Sequence, residues 1–249
     1  MYIPYGRHTA WIITLNQQTH IQPSQFQQLL SLPLDMAEAM ILNGAMKGIG
    51  TKERLIWPVL CGRSNEEIAK LKATYFAMYS KDLSIQLAGE LSGNFERMIF
   101  WCLQGLEKEY DEDYFTADKA KEDAEAFHKA GAGKFGTDEH SLFKIICESP
   151  KEHLQKINAV YTDKYEITLL GSLKKELSGD VGQACLYAVG MKLKPYITAA
   201  KHIAKTCEGF GTGKRHSYYF YVFPLIWLSI VILPTTLTCD VKMKIMAIR

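Results

Sequence analysis

Shifted by 86 positions, this chain matches itself without a gap over a long stretch. Gly50-Thr51 falls on Gly136-Thr137, Glu53 on Glu139, Cys61 on Cys147, Lys70 on Lys156 and Ala73 on Ala159. Tyr75 and Tyr79 fall on Tyr161 and Tyr165, Leu83 and Leu87 on Leu169 and Leu173, and Glu90-Leu91-Ser92-Gly93 on Glu176-Leu177-Ser178-Gly179. Other pairs match in apolar kind, such as Ile56 with Leu142 and Val59 with Ile145. Such a period means one supersecondary unit used repeatedly, each copy burying its apolar face against a neighbour. A third copy begins near Pro195, where Gly209-Phe210-Gly211-Thr212 repeats the loop.

Each copy reads as helices. Ile68, Leu71, Tyr75, Met78 and Tyr79 recur at three- and four-residue spacing, the period of one helix face. Thr51 and Thr137 stand where N-caps are needed; Ser64 with Glu67, and Ser149 with Glu152 after Pro150, read as capping boxes. Ser92-Gly93 and Ser178-Gly179 punctuate the chain before a last helix. The pattern predicts an all-α fold with five helices per copy, at 36–47, 52–62, 65–79, 81–90 and 94–106, then at 119–131, 138–148, 150–163, 166–176 and 181–190. Pro58 falls inside the second of these and should kink or shorten it. The organisation expected is a variable segment at 1–34, a repeat at 35–106, a linker at 107–118, a repeat at 119–190, the start of another at 195–216 and an atypical apolar tail at 217–249.

Composition removes several function classes. A formal charge of +2 over 249 residues gives no electrostatic footprint for nucleic acid. Six cysteines stand singly, without a Cys-x-x-Cys pair, which argues against zinc and for core thiols in a reducing, cytosolic setting. The apolar run Trp11 to Leu15 is too short for a secretory signal. His8, His20, His128, His140, His153, His202 and His216 recur with no Ser or Cys nucleophile, so an enzyme is not expected. Gly209 to Lys214 resembles a phosphate-binding loop, but Glu208 and Arg215 stand where that motif needs Gly and Ser or Thr.

The chemistry lies in Met46-Lys47-Gly48-Ile49-Gly50-Thr51. Two glycines flanking one residue let the backbone curl and turn several carbonyl oxygens to one point. Calcium is a hard cation that takes six to eight oxygens, and a carboxylate must balance its charge. Glu90 lies forty positions after Gly50, and Glu176 forty after Gly136, both in a Glu-Leu-Ser-Gly context. The plainer alternative makes the glycines helix ends and the glutamates solvated charges.

These residues carry a resemblance to the annexin family. It rests on Ala45-Met46-Lys47-Gly48-Ile49-Gly50-Thr51, Arg63-Ser64-Asn65, Ser80-Lys81-Asp82-Leu83 and Glu90-Leu91-Ser92-Gly93-Asn94-Phe95. Ala130 through Glu139 looks like the variant loop of that family's third repeat, and the long connector before it looks like the link between second and third repeats. The resemblance covers about 35–215. It implies five-helix repeats packed as a right-handed superhelical bundle, with calcium loops on a convex, membrane-facing side. The implied ligands are the carbonyls of Met46, Gly48 and Gly50 with Glu90, and those of Gly133, Lys134 and Gly136 with Glu176. Minor sites would pair Thr51 with Glu53 and Thr137 with Glu139, although both acids also suit the first turn of a helix. Lys134 stands in place of the first glycine of Gly-x-Gly, which implies a weaker second site. Ile49, Phe135 and Phe210 are apolar loop tips that either enter the membrane interface or fold back over their own helix ends.

The implied function is calcium-dependent binding of acidic phospholipid membranes, with self-association on them as a further mode. The chain would be cytoplasmic and peripheral on the inner plasma membrane or vesicles. The rival is a calcium-independent helical scaffold held at membranes by its tail or by partners. A complete annexin has four repeats, whereas this chain has two and the opening of another. Forty residues past Gly211 lies beyond Arg249, so the third loop lacks its glutamate. After His216 the resemblance stops, and Ser217 to Cys239 carries no charged residue. That run is long enough to span a membrane, although Pro224, Pro234 and Thr235-Thr236 weaken that reading. The tail reads as an anchor, a swapped helix or, in view of its abrupt onset within a helix, sequence from a faulty gene model.

Overall fold

The structure, a computed structural model, describes residue 29 and residues 31–47, 50–131 and 138–207, with side chains to His202. The variable segment up to residue 28, the loop tips Ile49, Phe135 and Phe210, and the apolar tail at 217–249 lie outside the described residues. Among the described residues there are eleven helices and no strand. The first repeat consists of α1 (Leu34–Ala45), α2 (Glu53–Leu60), α3 (Asn65–Tyr79), α4 (Leu83–Ala88) and α5 (Gly93–Gln104). The second consists of α6 (Ala117–Ala130), α7 (Glu139–Glu148), α8 (Lys151–Tyr165), α9 (Leu169–Glu176) and α10 (Gly179–Leu193), and α11 (Pro195–Cys207) follows. No described helix is long and apolar enough to cross a membrane.

The repeat extends to backbone detail. Each long third helix ends on a non-glycine residue in the left-handed region, Ser80 at φ 52° and Glu166 at φ 56°, again 86 apart. Asp82 caps α4 by accepting from Ile85 N at 3.0 Å, and Thr168 caps α9 by accepting from Gly171 N at 3.1 Å. The capping box on α3 is present: Ser64 Oγ accepts from Glu67 N at 3.3 Å, and Glu67 Oε2 accepts from Ser64 N at 3.0 Å. The box expected on α8 is absent. Pro150 is its N-cap, without a side-chain cap, and Ser149 closes the preceding helix by donating its N–H to Ile145 O at 3.3 Å. Thr51 does not cap α2 either; Lys52 holds that position and no side chain caps it. Pro58 lies within α2, which stops two residues short of the place where its counterpart α7 stops.

The apolar stripes meet in one core. Ile68, Leu71 and Tyr75 of α3 face Leu42 and Ile41 of α1, while Leu154, Ile157 and Tyr161 of α8 face Ala124 and Phe127 of α6. Each fully buried Leu, Ile or Phe contributes about 1.5–3 kcal/mol. Each repeat buries one member of an ionisable pair, Glu38 in the first and His153 in the second. Glu38 of α1 pairs with Arg63, and Asp123 of α6 accepts from His153 Nε2 at 2.7 Å. Burial pushes the Glu38 carboxyl up to about 7, with Arg63 opposing and Glu67 and Asp35 adding.

The two repeats exchange helices. The fifth helix of each packs on the second helix of the other, α10 on α2 and α5 on α7, and α5 and α10 also touch. Lys192 of α10 donates to Ile146 O at 3.0 Å and Ser149 O at 2.7 Å, satisfying carbonyls at the end of α7, and pairs with Glu107 of the connector at 2.6 Å. The cysteines behave as core thiols: Cys61, Cys102, Cys147 and Cys185 are free and buried or half-buried at this junction, with Cys102 Sγ 3.6 Å from Cys61 Sγ.

Candidate functional site

The first loop joins α1 to α2. Met46 N–H donates to Leu42 O at 3.2 Å, ending α1, and Lys52 N–H donates to Ala45 O at 3.0 Å, closing the loop. Gly50 holds φ +81°, and a Cβ there would meet nothing within 4 Å, so glycine is required by the backbone conformation alone. Glu90 follows the short helix α4, which packs on α3 and α5. Thr51 Oγ1 lies 3.0 Å from Glu90 Oε2 and 3.1 Å from Glu90 O. The glutamate forty positions away is therefore in direct contact with the loop. Glu90 is exposed and Thr51 half-buried. Gly48 lies outside the described residues, as does Ile49.

The second loop joins α6 to α7 and is closed by Asp138 N–H donating to Ala130 O at 2.7 Å. That closure spans one residue more than in the first loop. Buried Ala39, Leu42 and Ala45 of α1 correspond to buried Ala124, Phe127 and Ala130 of α6, a shift of 85 rather than 86. The glycine-threonine pairs align at 86 and conceal the extra residue. Glu176 reaches this loop too: a Cβ on Gly131 would lie 3.5 Å from its Cγ. It is half-buried and near Tyr161, whose phenol burial pushes up, with Tyr165 and Glu176 adding and a hydrogen bond to Ser172 opposing. Gly133, Lys134, Gly136 and Thr137 lie outside the described residues.

Glu53 and Glu139 both occupy the first turns of their helices. Glu139 accepts from Asn94 Nδ2 at 2.8 Å, and Asn94 Oδ1 accepts from Arg97 Nη1 at 3.4 Å. Asn94 therefore ties the segment after Glu90 to the start of α7 across the repeat boundary. The sequence reading did not single it out, although it directly follows Glu-Leu-Ser-Gly. Asp138, also passed over, caps α7 by accepting from Ser141 N at 3.2 Å. Among the described residues no three His, Cys, Asp or Glu side chains gather as a metal cage. What the described residues bring together is one carboxylate at each loop, Glu90 beside Thr51 and the Glu176 side chain beside Gly131.

The annexin sequence profile matches residues 37–100 and 122–188, the two repeats. The chain belongs to the annexin family. It is 31% identical over 183 residues to annexin A6 of Rattus norvegicus, covering 74% of this chain and 27% of that protein. It is 30% identical over 187 residues to human annexin A13, covering 75% and 58%. The chain thus spans only part of these relatives. Among solved structures, chicken annexin V in complex with zinc superposes with a TM-score of 0.72 at 22% identity, covering 87% of this chain and 66% of that one. Calcium-bound alpha-14 giardin superposes with a TM-score of 0.70 at 16% identity, covering 96% and 83%. These structures share the all-α annexin repeat fold seen here.

Proposed function

We propose that this annexin binds calcium at its two loops and, through calcium, the surface of acidic phospholipid membranes. The observation that carries the reading is the contact between Glu90 and Thr51, which puts a carboxylate at the end of the first loop; in the second repeat the Glu176 side chain lies beside Gly131. The donor set fits the ion. Calcium accepts carbonyl and carboxylate oxygens in flexible geometry and does not need a side-chain cage. In the first repeat the ligands are the carbonyls of Met46, Gly48 and Gly50 with Glu90. In the second they are the carbonyls of Gly133, Lys134 and Gly136 with Glu176. Thr51 with Glu53, and Thr137 with Glu139, form minor sites, the last of them limited by the bond that Asn94 already makes to Glu139.

Bound calcium supplies positive charge and coordination positions for headgroup phosphate or carboxylate oxygens. The residues of the chain set the rest. Unneutralised, Glu90 and Glu176 repel an anionic surface, so membrane attraction appears only when their charge is overcome. Two loops on one chain act together, and the second contact forms at high effective concentration. Ile49, Phe135 and Phe210 add apolar contact at the interface. The protein is a binding protein rather than an enzyme, peripheral on cytoplasmic membrane faces.

Co-sedimentation with phosphatidylserine vesicles tests this. Binding with calcium and release with chelator are expected, and Glu90→Gln with Glu176→Gln should abolish the calcium dependence. Chelator-insensitive binding would favour the calcium-independent scaffold instead.

A further inference from the structure

Helix α2 begins without a side-chain cap, although a threonine stands beside its start. Its counterpart α7 is capped by Asp138. The hydroxyl that would suit α2 is used elsewhere: Thr51 Oγ1 lies within hydrogen-bond distance of both the carboxylate and the carbonyl of Glu90. A threonine hydroxyl has one hydrogen, so this bond is shared between two acceptors of a single residue 39 positions away. No capping signal dictates that arrangement. It fixes the backbone and the side chain of Glu90 at once.

We propose that Thr51 is a positioning residue for the first cation site: its side-chain hydroxyl holds the Glu90 carboxylate at the start of α2 before any cation arrives. The inference rests on the calcium reading and deepens it, because that reading gives the Thr51 hydroxyl no role at the Glu90 site. Glu90 is exposed, and a free glutamate there samples many rotamers. Ordering it in advance removes an entropic cost from binding. The bond leaves room for a cation, since it engages Oε2 and a carboxylate has about four acceptor positions. A charge-assisted hydrogen bond that also restrains a long side chain accounts for about a tenfold change in affinity.

The test uses the full chain carrying Glu176→Gln, so that calorimetric titration with calcium reads the first site. Thr51→Val should weaken calcium binding about tenfold, and Thr51→Ser should restore it. Glu90→Gln should remove the tighter phase of binding, and adding Thr51→Val to it should change nothing further. A calcium-free readout runs in parallel: three-bond NMR couplings should show one χ1 rotamer for Glu90 in the parent and in Thr51→Ser, and averaging in Thr51→Val. Unchanged affinity together with an unchanged rotamer in Thr51→Val overturns the proposal. If the parent takes up no calcium, the calcium reading fails, and averaged couplings in the parent would then overturn the positioning role on their own.

Discussion

Arg63→Met strikes the seam that holds the first loop in place. Arg63 extends from just beyond α2 and pairs with Glu38 of α1, and their side chains are only 7% and 2% exposed. These two helices are the ones the loop connects. Removing the guanidinium from one side leaves a carboxylate buried among apolar groups, with Asp35 and Glu67 adding repulsion. Breaking such a pair costs about 3–5 kcal/mol. Glu38 escapes part of that by taking a proton, at about 1.4 kcal/mol for each unit by which the ambient pH stands above the ordinary carboxyl value of 4.5. Near neutral pH the expected loss is therefore about 3 kcal/mol, at the lower end of that range. Urea unfolding followed by circular dichroism should show the midpoint falling by about 1–2 M. Replacing both partners, with Glu38→Leu added, should recover most of the loss, because the buried charge is gone. A single variant that unfolds at the parent's urea concentration, or a double variant no better than the single, would refute the reasoning.

Three further outcomes are expected. Native Glu38 holds its proton up to about 7, whereas the unfolded chain releases it near 4.5. The native state then binds more protons between those values, so its stability falls as pH rises through them, by about 3 kcal/mol, and Glu38→Gln should flatten that slope in urea titrations across the range. Asn94→Ala removes the donor to Glu139 and should cost about 1–2 kcal/mol with helix content unchanged, read by thermal unfolding. Pro58→Ala returns a backbone donor to the interior of α2 and should raise stability by about 1 kcal/mol, the gain reduced by the loss of buried ring carbons.

The helices were legible because apolar spacing and local caps act over a few residues. Ser64 with Glu67 is such a signal, and the capping box stands where it was expected. Ser149 carries the same pattern, yet it belongs to the end of α7, where its carbonyl accepts from Lys192 at 2.7 Å. That partner lies 43 residues on, beyond any local window. Thr51 is a similar case, its hydroxyl drawn from its own helix to a distant carboxylate. The approach of Glu90 to its loop was legible because the same forty-residue separation occurs twice. The extra residue in the second loop was not, because Gly136-Thr137 realigns directly after it. The bond from Asn94 to Glu139 was not legible because it crosses between copies, and comparing one copy with another shows only what they share.

The exchange of helices between repeats also sets an order of events during synthesis. Helix α2 ends at Leu60, and α10, which covers it, begins at Gly179, roughly 120 residues later. At ribosomal speeds of about 5–20 residues per second, the apolar face of α2 waits on the order of ten seconds for its cover. The first repeat is thus complete as a sequence unit long before it is complete as a folded one. A ribosome that stalls between the repeats would expose this face to chaperones or to a second nascent chain.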